Sequence, residues 1–397
     1  MADFLKISNF GPVKEASLEL KPYLVLIGGQ GSGKSTLAKV LTICQDLSWY
    51  IDLLEGNGDP MQPFVKFNIA EYFNTYTHIE YHSNQLNLDI EYKDREFTIS
   101  STPLTHGQLL QVLKKARESV LSNFLKEAGI PIPGNMDELL KKDSSLLDSY
   151  TRFSLYIPAE RNLAGAFSDS LASMMLANIP LPFTFLSYIS LFEKAKKEYT
   201  TFKVPFINIT FEQKDKREGV IVTDGDSERL LPLSMCSSGI QSVLPLLMIL
   251  NYCIEKHYFS AYVIEEPEQN LFPDNQLGLL RFIIEKVKQV KHPQSHTITT
   301  HSPYLLSGIN LSLLAGRIVQ NHPEMEKQVN EILPQSYWLA PDEVAAYSLG
   351  QEDEYCKNII NTTTGTIDQN YLDTTSDIVG QEFNRLYKLF VESLKKN

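Results

Sequence analysis

The sequence predicts an α/β fold in which a core, a mixed sheet flanked by helices, carries a mostly helical insertion and a small C-terminal α/β extension. Residues 23–27 form a continuous apolar run that ends in glycines, which is typical of a buried strand. Apolar residues at helical spacing follow the glycines, and a second apolar run at residues 261–264 ends in two adjacent carboxylates. Such alternation of buried strands and helices indicates helices packed on a sheet.

Residues 1–58 are expected to form the first part of the core. Residues 4–10 and 16–20 are strand-like runs separated by a turn at Gly11 and Pro12. A helix after residue 35 is predicted because apolar residues recur every three or four positions at Leu37, Val40, Leu41, Cys44, Leu47, Ile51 and Leu54.

Residues 59–200 are predicted to be a mainly helical insertion in this core. The expected elements are a hairpin at residues 86–92 and 97–101, helical segments at 107–129 and 136–150, a strand at 154–157 and further apolar helices.

The core pattern resumes at residue 201 and is expected to end near residue 310. Its predicted elements are a strand-like run at 202–211, a hairpin around 224–226, a helix from Gly239, the strand at 261–264, a helix after Pro273 and a strand at 297–300. Residues 311–397 form the C-terminal extension. It ends in a predicted helix whose apolar face comprises Val379, Phe383, Leu386, Phe390 and Leu394.

Composition and charge limit the possible functions. The formal net charge is −12, whereas proteins that neutralise many phosphates usually carry a basic face, so DNA binding by this chain alone is not predicted. The four cysteines form no C-x-x-C pair, so neither a zinc site nor a disulfide framework is expected. That cysteine usage fits a cytoplasmic location.

Membrane association is not predicted either. The N-terminus lacks a charged region followed by a long apolar core, so no signal peptide is expected. Residues 170–192 carry no charged side chain, but Asn178, Pro180 and Pro182 make them poor material for a spanning helix. Buried helices are the favoured interpretation of this stretch.

A phosphate-binding loop is predicted at residues 28–35, which match G-x-x-x-x-G-K-[ST]. The expected nucleotide-binding residues are Gly28, Gly29, Gln30, Gly31, Ser32, Gly33, Lys34, Ser35 and Thr36. Lys34 is expected to reach the β and γ oxygens of ATP, and the Ser35 hydroxyl to ligate Mg²⁺. The N-terminus of the following helix favours the same anion.

Two carboxylates at the end of the strand 261–264 are candidates for catalysis. Glu265 is expected to support Mg²⁺, directly or through water. Glu266 is expected to orient and deprotonate the attacking water, the role of the base in phosphoryl transfer. A glutamate pair after a strand is more often a solvated strand end, and the functional interpretation depends on the phosphate-binding loop.

Two weaker motifs complete the pattern. Ser238 and Gly239 begin an apolar helix, where small residues leave backbone N–H groups free for an anion, although such residues are also ordinary helix caps. His301 follows a strand and precedes Ser302 and Pro303, which are suited to begin a helix. A histidine held there can hydrogen-bond a γ-phosphate.

In chain order, GGQGSGKS, SSGIQ, VIEEPE and TTHSP resemble the Walker A, signature, Walker B and switch-histidine motifs of ABC ATPases, with their P-loop NTPase core. The closest resemblance is to the SMC/RecF and OLD-like branch. The opening ISNFGPVKEASLEL, the segment YIPAERN at 156–162 and the segment 337–347 are also similar to that branch.

This resemblance implies a head-to-tail dimer, or a higher homo-oligomer, in which Ser238 and Gly239 of one copy close over ATP held by the other. Three departures affect that implication. The usual aspartate of Walker B is Glu265 here, and the usual signature LSGGQ is SSGIQ. No Q-loop glutamine can be assigned, and the region of Glu160 and Arg161 is its substitute.

Four functions are compared in view of the resemblance. The favoured one is an OLD-like ATPase that controls a separate effector protein, such as a nuclease, in antiphage defence. A fused nuclease is disfavoured because the residues after His301 contain no D-x-D pattern with an upstream glutamate. A RecF-like DNA-repair ATPase is the alternative. A transporter subunit is less favoured because of the long insertion and the EEPE sequence.

Overall fold

The computed structural model describes residues 3–56, 59–83, 88–101, 105, 107–111, 114, 154–167, 180–214, 217–224, 227–290, 295–368 and 371–394. In chain order the strands are β1 (Phe4–Phe10), β2 (Val13–Glu19), β3 (Tyr23–Gly28), β4 (His78–Ser83), β5 (Leu88–Lys93), β6 (Glu96–Ser101), β7 (Ser154–Ile157), β8 (Thr201–Lys203), β9 (Thr210–Lys214), β10 (Arg217–Asp224), β11 (Ser227–Leu231), β12 (Ala261–Glu265), β13 (His296–Thr299), β14 (Val344–Leu349) and β15 (Cys356–Asn358).

The helices are α1 (Lys34–Cys44), α2 (Leu47–Glu55), α3 (Gln62–Lys66), α4 (Leu163–Phe167), α5 (Phe183–Glu198), α6 (Ser238–Glu255), α7 (Pro273–Val287), α8 (Pro303–Asn321), α9 (Glu326–Ile332) and α10 (Tyr371–Leu394). The α/β fold class, with sheets flanked by helices, is confirmed.

A six-stranded sheet forms the centre, in the order β15-β14-β3-β13-β12-β7. Its strands pair in parallel except for β15, which is antiparallel to β14. Because neighbouring side chains of a strand point to opposite faces, β3 contributes to two cores. Val25 and Ile27 pack with helices α5 to α8, whereas Leu24 and Leu26 pack with α1, α2 and the N-terminal strands.

Two antiparallel sheets flank this centre. The first has the order β2-β1-β4-β5-β6 and the second the order β11-β10-β9-β8. In the first, β1 pairs with β4 so that Ile7 lies opposite Ile79. The apolar side chains of both strands thereby face the core that also contains α1.

In the predicted insertion, residues 59–200, the expected hairpin is β5 and β6 and the expected strand at 154–157 is β7, whereas β4 was not predicted. Strands β4, β5 and β6 extend the sheet of β1, and β7 forms the edge of the central sheet beside β12. The reason is that alternating apolar residues such as Ile79 and Tyr81 face the core. Apart from 107–111 and 114, the helical segments predicted at 107–129 and 136–150 lie outside the described residues.

Two helices bear on the membrane question. Ser238–Glu255 (α6) is long and apolar enough to cross a membrane, but 72% of its most apolar window is buried inside the protein, as expected of a core helix. In the uncharged stretch 170–192, residues 170–179 lie outside the described residues and 183–192 belong to α5. There, Phe185, Tyr188 and Phe192 are buried in the core.

The tail helix predicted from apolar periodicity is α10. Val379, Phe383 and Leu386 on its predicted apolar face are 59%, 64% and 66% exposed. The side chains of Phe390 and Leu394 lie outside the described residues.

Candidate nucleotide-binding site

The phosphate-binding loop joins β3 to α1 at the carboxyl edge of the central sheet. Gly33 has φ +87°, and a Cβ there would lie 2.8 Å from Val13 Cγ2 and 3.0 Å from Tyr355 Oη. A side chain at this position is therefore excluded both by conformation and by space. By contrast, a Cβ on Gly29 or Gly31 would meet nothing within 4 Å. The loop is thus packed against Val13 and Tyr355 at Gly33 and is open to solvent at Gly29 and Gly31.

Lys34 spans this loop. Its side chain is buried, and Nζ donates hydrogen bonds to Gly28 O (2.8 Å) and Gly29 O (3.0 Å). Burial lowers the pKa of the ammonium, while the nearby charges of Glu266 and Glu265 act to raise it. Lys34 is thus held against the loop by two carbonyl oxygens, and the carboxylates that follow β12 act on its charge.

The hydroxyl-bearing residues around Lys34 differ in exposure. Ser35 is exposed at the first turn of α1, whereas Thr36 is buried. Ser32 Oγ is buried without a hydrogen-bond partner. Ser35 is therefore the hydroxyl that an ion arriving from solvent can reach.

The Walker B carboxylates have distinct environments. Glu265 ends β12, is 4% exposed, and its Oε1 is buried without a hydrogen-bond partner. Glu266 has φ +41°, and its Oε1 lies 3.1 Å from His301 Nε2. This hydrogen bond lowers the pKa of Glu266, and burial acts in the opposite direction. Glu266 is therefore held as a carboxylate against an imidazole.

A third carboxylate, Glu268, organises the end of β13. Its Oε1 accepts hydrogen bonds from the Thr300 hydroxyl (2.6 Å) and from the His301 N–H (2.9 Å). Burial raises the pKa of Glu268, against the hydrogen bonds from Thr300 and His301. Sequence reasoning missed this residue, although its place in the EEPE motif was a signal.

Ser302 begins α8 as its sequence predicts. Its hydroxyl accepts from the N–H groups of Tyr304 and Leu305, and it also donates to Gln276 Oε1 at 2.5 Å. The cap fixes where the strand ends and the helix begins. His301 is thus held by Glu268 on one side and by a capped helix on the other.

Arg161 contacts the Walker B loop, an arrangement that the sequence did not reveal. The side chain is fully buried, and its guanidinium donates to the carbonyl oxygens of Glu265 (2.6 Å) and Glu266. Glu160, by contrast, is exposed. Of the pair suggested as a Q-loop substitute, Arg161 therefore binds backbone and only Glu160 is accessible to solvent.

The signature residues lie elsewhere. Ser238 is exposed at the N-terminus of α6, and the space beside Gly239 is bounded by Asn270 O and Leu271. Within the described part of the chain, no hydrogen bond or ion pair joins Ser238 or Gly239 to the phosphate-binding loop. The chain thus brings Lys34, Glu265, Glu266 and His301 together, whereas Ser238 is exposed and Gly239 is half-buried against Asn270.

These residues fit a nucleotide with a divalent cation. Open space in front of Gly29 and Gly31 suits phosphate, because backbone N–H groups can surround it there. Glu265 Oε1 is a buried oxygen without a partner, and Ser35 supplies an exposed hydroxyl. Hard oxygen donors of this kind are those that Mg²⁺ prefers.

Comparison with solved structures finds SMC heads at low identity. A head bound to the C-winged helix domain of ScpA is 11% identical, over 90% of this chain and 97% of that chain, with a TM-score of 0.38. The head domain of SMC from Thermotoga maritima is 14% identical, over 78% and 92% of the two chains, with a TM-score of 0.37.

Comparison with sequences gives a family. No curated protein matches this chain. The family model described as AAA ATPase domain matches residues 1–170 and 184–306, a span that includes the phosphate-binding loop, Arg161 and the three carboxylates. Because this match covers well over half of the sequence, the chain belongs to the AAA ATPase domain family.

Proposed function

We propose that this chain binds ATP with Mg²⁺ at the site described above and hydrolyses it. The observation that carries the proposal is the position of Glu266, whose carboxylate lies 3.1 Å from His301 at the edge of the central sheet where the phosphate-binding loop also begins. A general base needs a basic atom beside the reacting group, and a phosphoryl site needs a cation there.

Each residue has a role in this proposal. Lys34 gives up its hydrogen bonds to Gly28 O and Gly29 O and binds the terminal phosphates. Glu265 and Ser35 hold Mg²⁺, which neutralises charge on the phosphates. Glu266 orients a water molecule and accepts its proton, while His301, fixed by Glu268, lies where a γ-phosphate oxygen can be hydrogen-bonded.

We further propose that the site is completed by a second copy of the chain. Ser238 is exposed, and within the described residues no hydrogen bond or ion pair joins Ser238 or Gly239 to the phosphate-binding loop of their own chain, so another copy could present them to the nucleotide. A head-to-tail dimer, or a higher homo-oligomer, would then close around ATP and open after hydrolysis or release.

The biological proposal is an ATP-dependent switch in the cytoplasm that controls a separate effector protein, such as a nuclease, in antiphage defence. It rests on the resemblance of the motifs to OLD-like ATPases. A RecF-like ATPase acting on DNA is the alternative. The two differ in one assay: DNA should stimulate ATP hydrolysis by a repair ATPase, and a partner protein should do so for a switch.

Glu266→Gln tests the hydrolysis step. Loss of a general base should lower the hydrolysis rate by roughly a hundredfold or more while ATP binding is retained. The same variant should accumulate an ATP-dependent dimer or larger assembly, measured by light scattering. Glu352→Gln is the matched control, because it removes a carboxylate of the same size from an exposed loop.

Three results would contradict these proposals separately. An unchanged rate of ATP hydrolysis in Glu266→Gln would show that Glu266 is not the general base. A monomer in every nucleotide state would rule out the composite site. If no partner co-purifies with the trapped variant, and hydrolysis rises with DNA instead, the repair alternative would replace the effector-controlling switch.

A further inference from the structure

We propose that Arg161 is a positioning residue that holds the Walker B loop in the conformation in which Glu266 acts as the base. This inference rests on the proposed hydrolysis of ATP and adds a residue to it. Arg161 is fully buried and its described hydrogen bonds go to backbone carbonyl oxygens, so it can act on the reaction by holding those carbonyls and by its charge, which acts to lower the pKa of Glu266 and Glu268.

The first step is the choice of partners. Arg161 is fully buried, and its guanidinium donates to three backbone carbonyl oxygens, those of Pro158 (3.3 Å), Glu265 (2.6 Å) and Glu266. Its Nε has no hydrogen-bond partner. A buried cation is costly to desolvate, and a cation bound to neutral carbonyls gains less than one paired with a carboxylate. The guanidinium therefore contributes geometry at this position rather than a strong ion pair.

The second step is the backbone that it holds. Glu266 has φ +41°, a left-handed conformation that is unfavourable for a residue with a Cβ. It also precedes Pro267, which disfavours the right-handed helical conformation. Released from restraint, Glu266 would relax towards an extended conformation, and its side chain would turn away from His301.

The third step is that the peptide groups on both sides of Glu266 are fixed. Its N–H donates to Thr299 O (2.9 Å) on β13, and its carbonyl oxygen accepts from Arg161. The preceding carbonyl, that of Glu265, is bound by the same guanidinium. Two neighbouring carbonyls held by one planar fork leave the loop little freedom, and a lysine cannot reproduce this because its single nitrogen cannot match the fork.

Two substitutions test the proposal. Arg161→Lys keeps the charge but loses the fork. Arg161→Met keeps an unbranched chain of similar length and avoids a buried charge without partners, which favours folding. Lys196→Met is the matched control: Lys196 is also a buried cation, but it binds Glu218 (2.5 Å) on β10 and Glu193 (2.8 Å) on its own helix, α5.

Two measurements are needed. Because small displacements of reacting groups are costly, both Arg161 variants should lower kcat by about tenfold or more while the Kd for ATP changes by less than about threefold. In nucleotide-free protein, hydrogen–deuterium exchange should accelerate in residues 262–269, which contain the Glu266 N–H, and not across β10. In Lys196→Met, exchange should accelerate across β10 and not in residues 262–269, and kcat should be unchanged.

Each other outcome overturns the inference. A folded Arg161 variant with wild-type kcat and protected residues 262–269 would show that the fork is dispensable. Parallel losses of kcat and ATP binding, with faster exchange throughout the protein, would assign Arg161 to general stability. If both Arg161 variants fail to fold while Lys196→Met folds, Arg161 would likewise be assigned to general stability. If the wild type hydrolyses no ATP, the proposed function fails, and the exchange measurement still tests Arg161.

Discussion

Glu268 offers a stability test whose size follows from its contacts. Its Oε1 accepts from the Thr300 hydroxyl and the His301 N–H, and Thr300 is fully buried. Glu268→Ala leaves both donors without an acceptor, and each unpaired buried donor costs about 1–3 kcal/mol, so the free energy of unfolding should fall by about 2–6 kcal/mol. Glu268→Gln keeps an acceptor in place and should change it by less than about 1 kcal/mol.

The comparison of the two variants also has a predicted pH dependence. Burial raises the pKa of Glu268 above its ordinary value of 4.5, so the folded protein binds this proton more tightly than the unfolded chain does. The contribution of Glu268 to stability must therefore decrease as pH rises from 4.5 through the folded pKa. Glutamine does not titrate, so the stability of Glu268→Gln relative to the wild type should rise over the same interval.

Urea unfolding followed by tryptophan fluorescence and circular dichroism measures both effects, at pH 4.5 and pH 8. The reasoning is refuted if Glu268→Ala and Glu268→Gln have the same unfolding midpoint at pH 8. It is also refuted if the difference between Glu268→Gln and the wild type moves in the opposite direction with pH. Glu352→Gln, in an exposed loop, controls for the loss of one negative charge.

Two further substitutions test the phosphate-binding loop. Lys34→Ala should abolish binding of a fluorescent ATP analogue, because it removes the cation that spans the loop, and retained binding would refute the Walker A assignment. Tyr355→Phe should weaken ATP binding by a few-fold and destabilise the protein by about 1 kcal/mol, because the Tyr355 hydroxyl lies 2.7 Å from both Ser32 O and Pro12 O. Unchanged ATP affinity and melting temperature would show that this hydrogen bond is dispensable.

Local sequence signals predicted the core elements well. The apolar run at 23–27 is β3, and the run at 261–264 is β12 with Glu265 added. Ser302 followed by Pro303 marked the start of α8 because a capping hydroxyl and a proline are both local features. The single helix predicted after residue 35 is two helices, α1 and α2. The break was not predicted because both helices pack on one core, so the apolar periodicity continues through it.

Contacts distant in sequence were not predictable in the same way. Arg161 lies 104 residues from Glu265, and no periodicity links a buried arginine to a carbonyl that far along the chain. The strands β4 to β6 share their sheet with β1, although the sequence between them and β1 contains two other strands, the phosphate-binding loop and the helices α1 to α3. Pairing partners are selected by packing, and the pattern of a single strand does not specify them.

Arg161 and Glu268 together restrain Glu266, which we propose as the base, and His301 beside it. Arg161 fixes the carbonyls of Glu265 and Glu266, and Glu268 fixes the N–H of His301, so both members of the Glu266–His301 pair are held from behind. Neither restraint involves Ser238 or Gly239, which lie at the N-terminus of α6. If a second copy must supply those residues, assembly would control access to a base that is already in position, and the rate of hydrolysis would report on association of the chains.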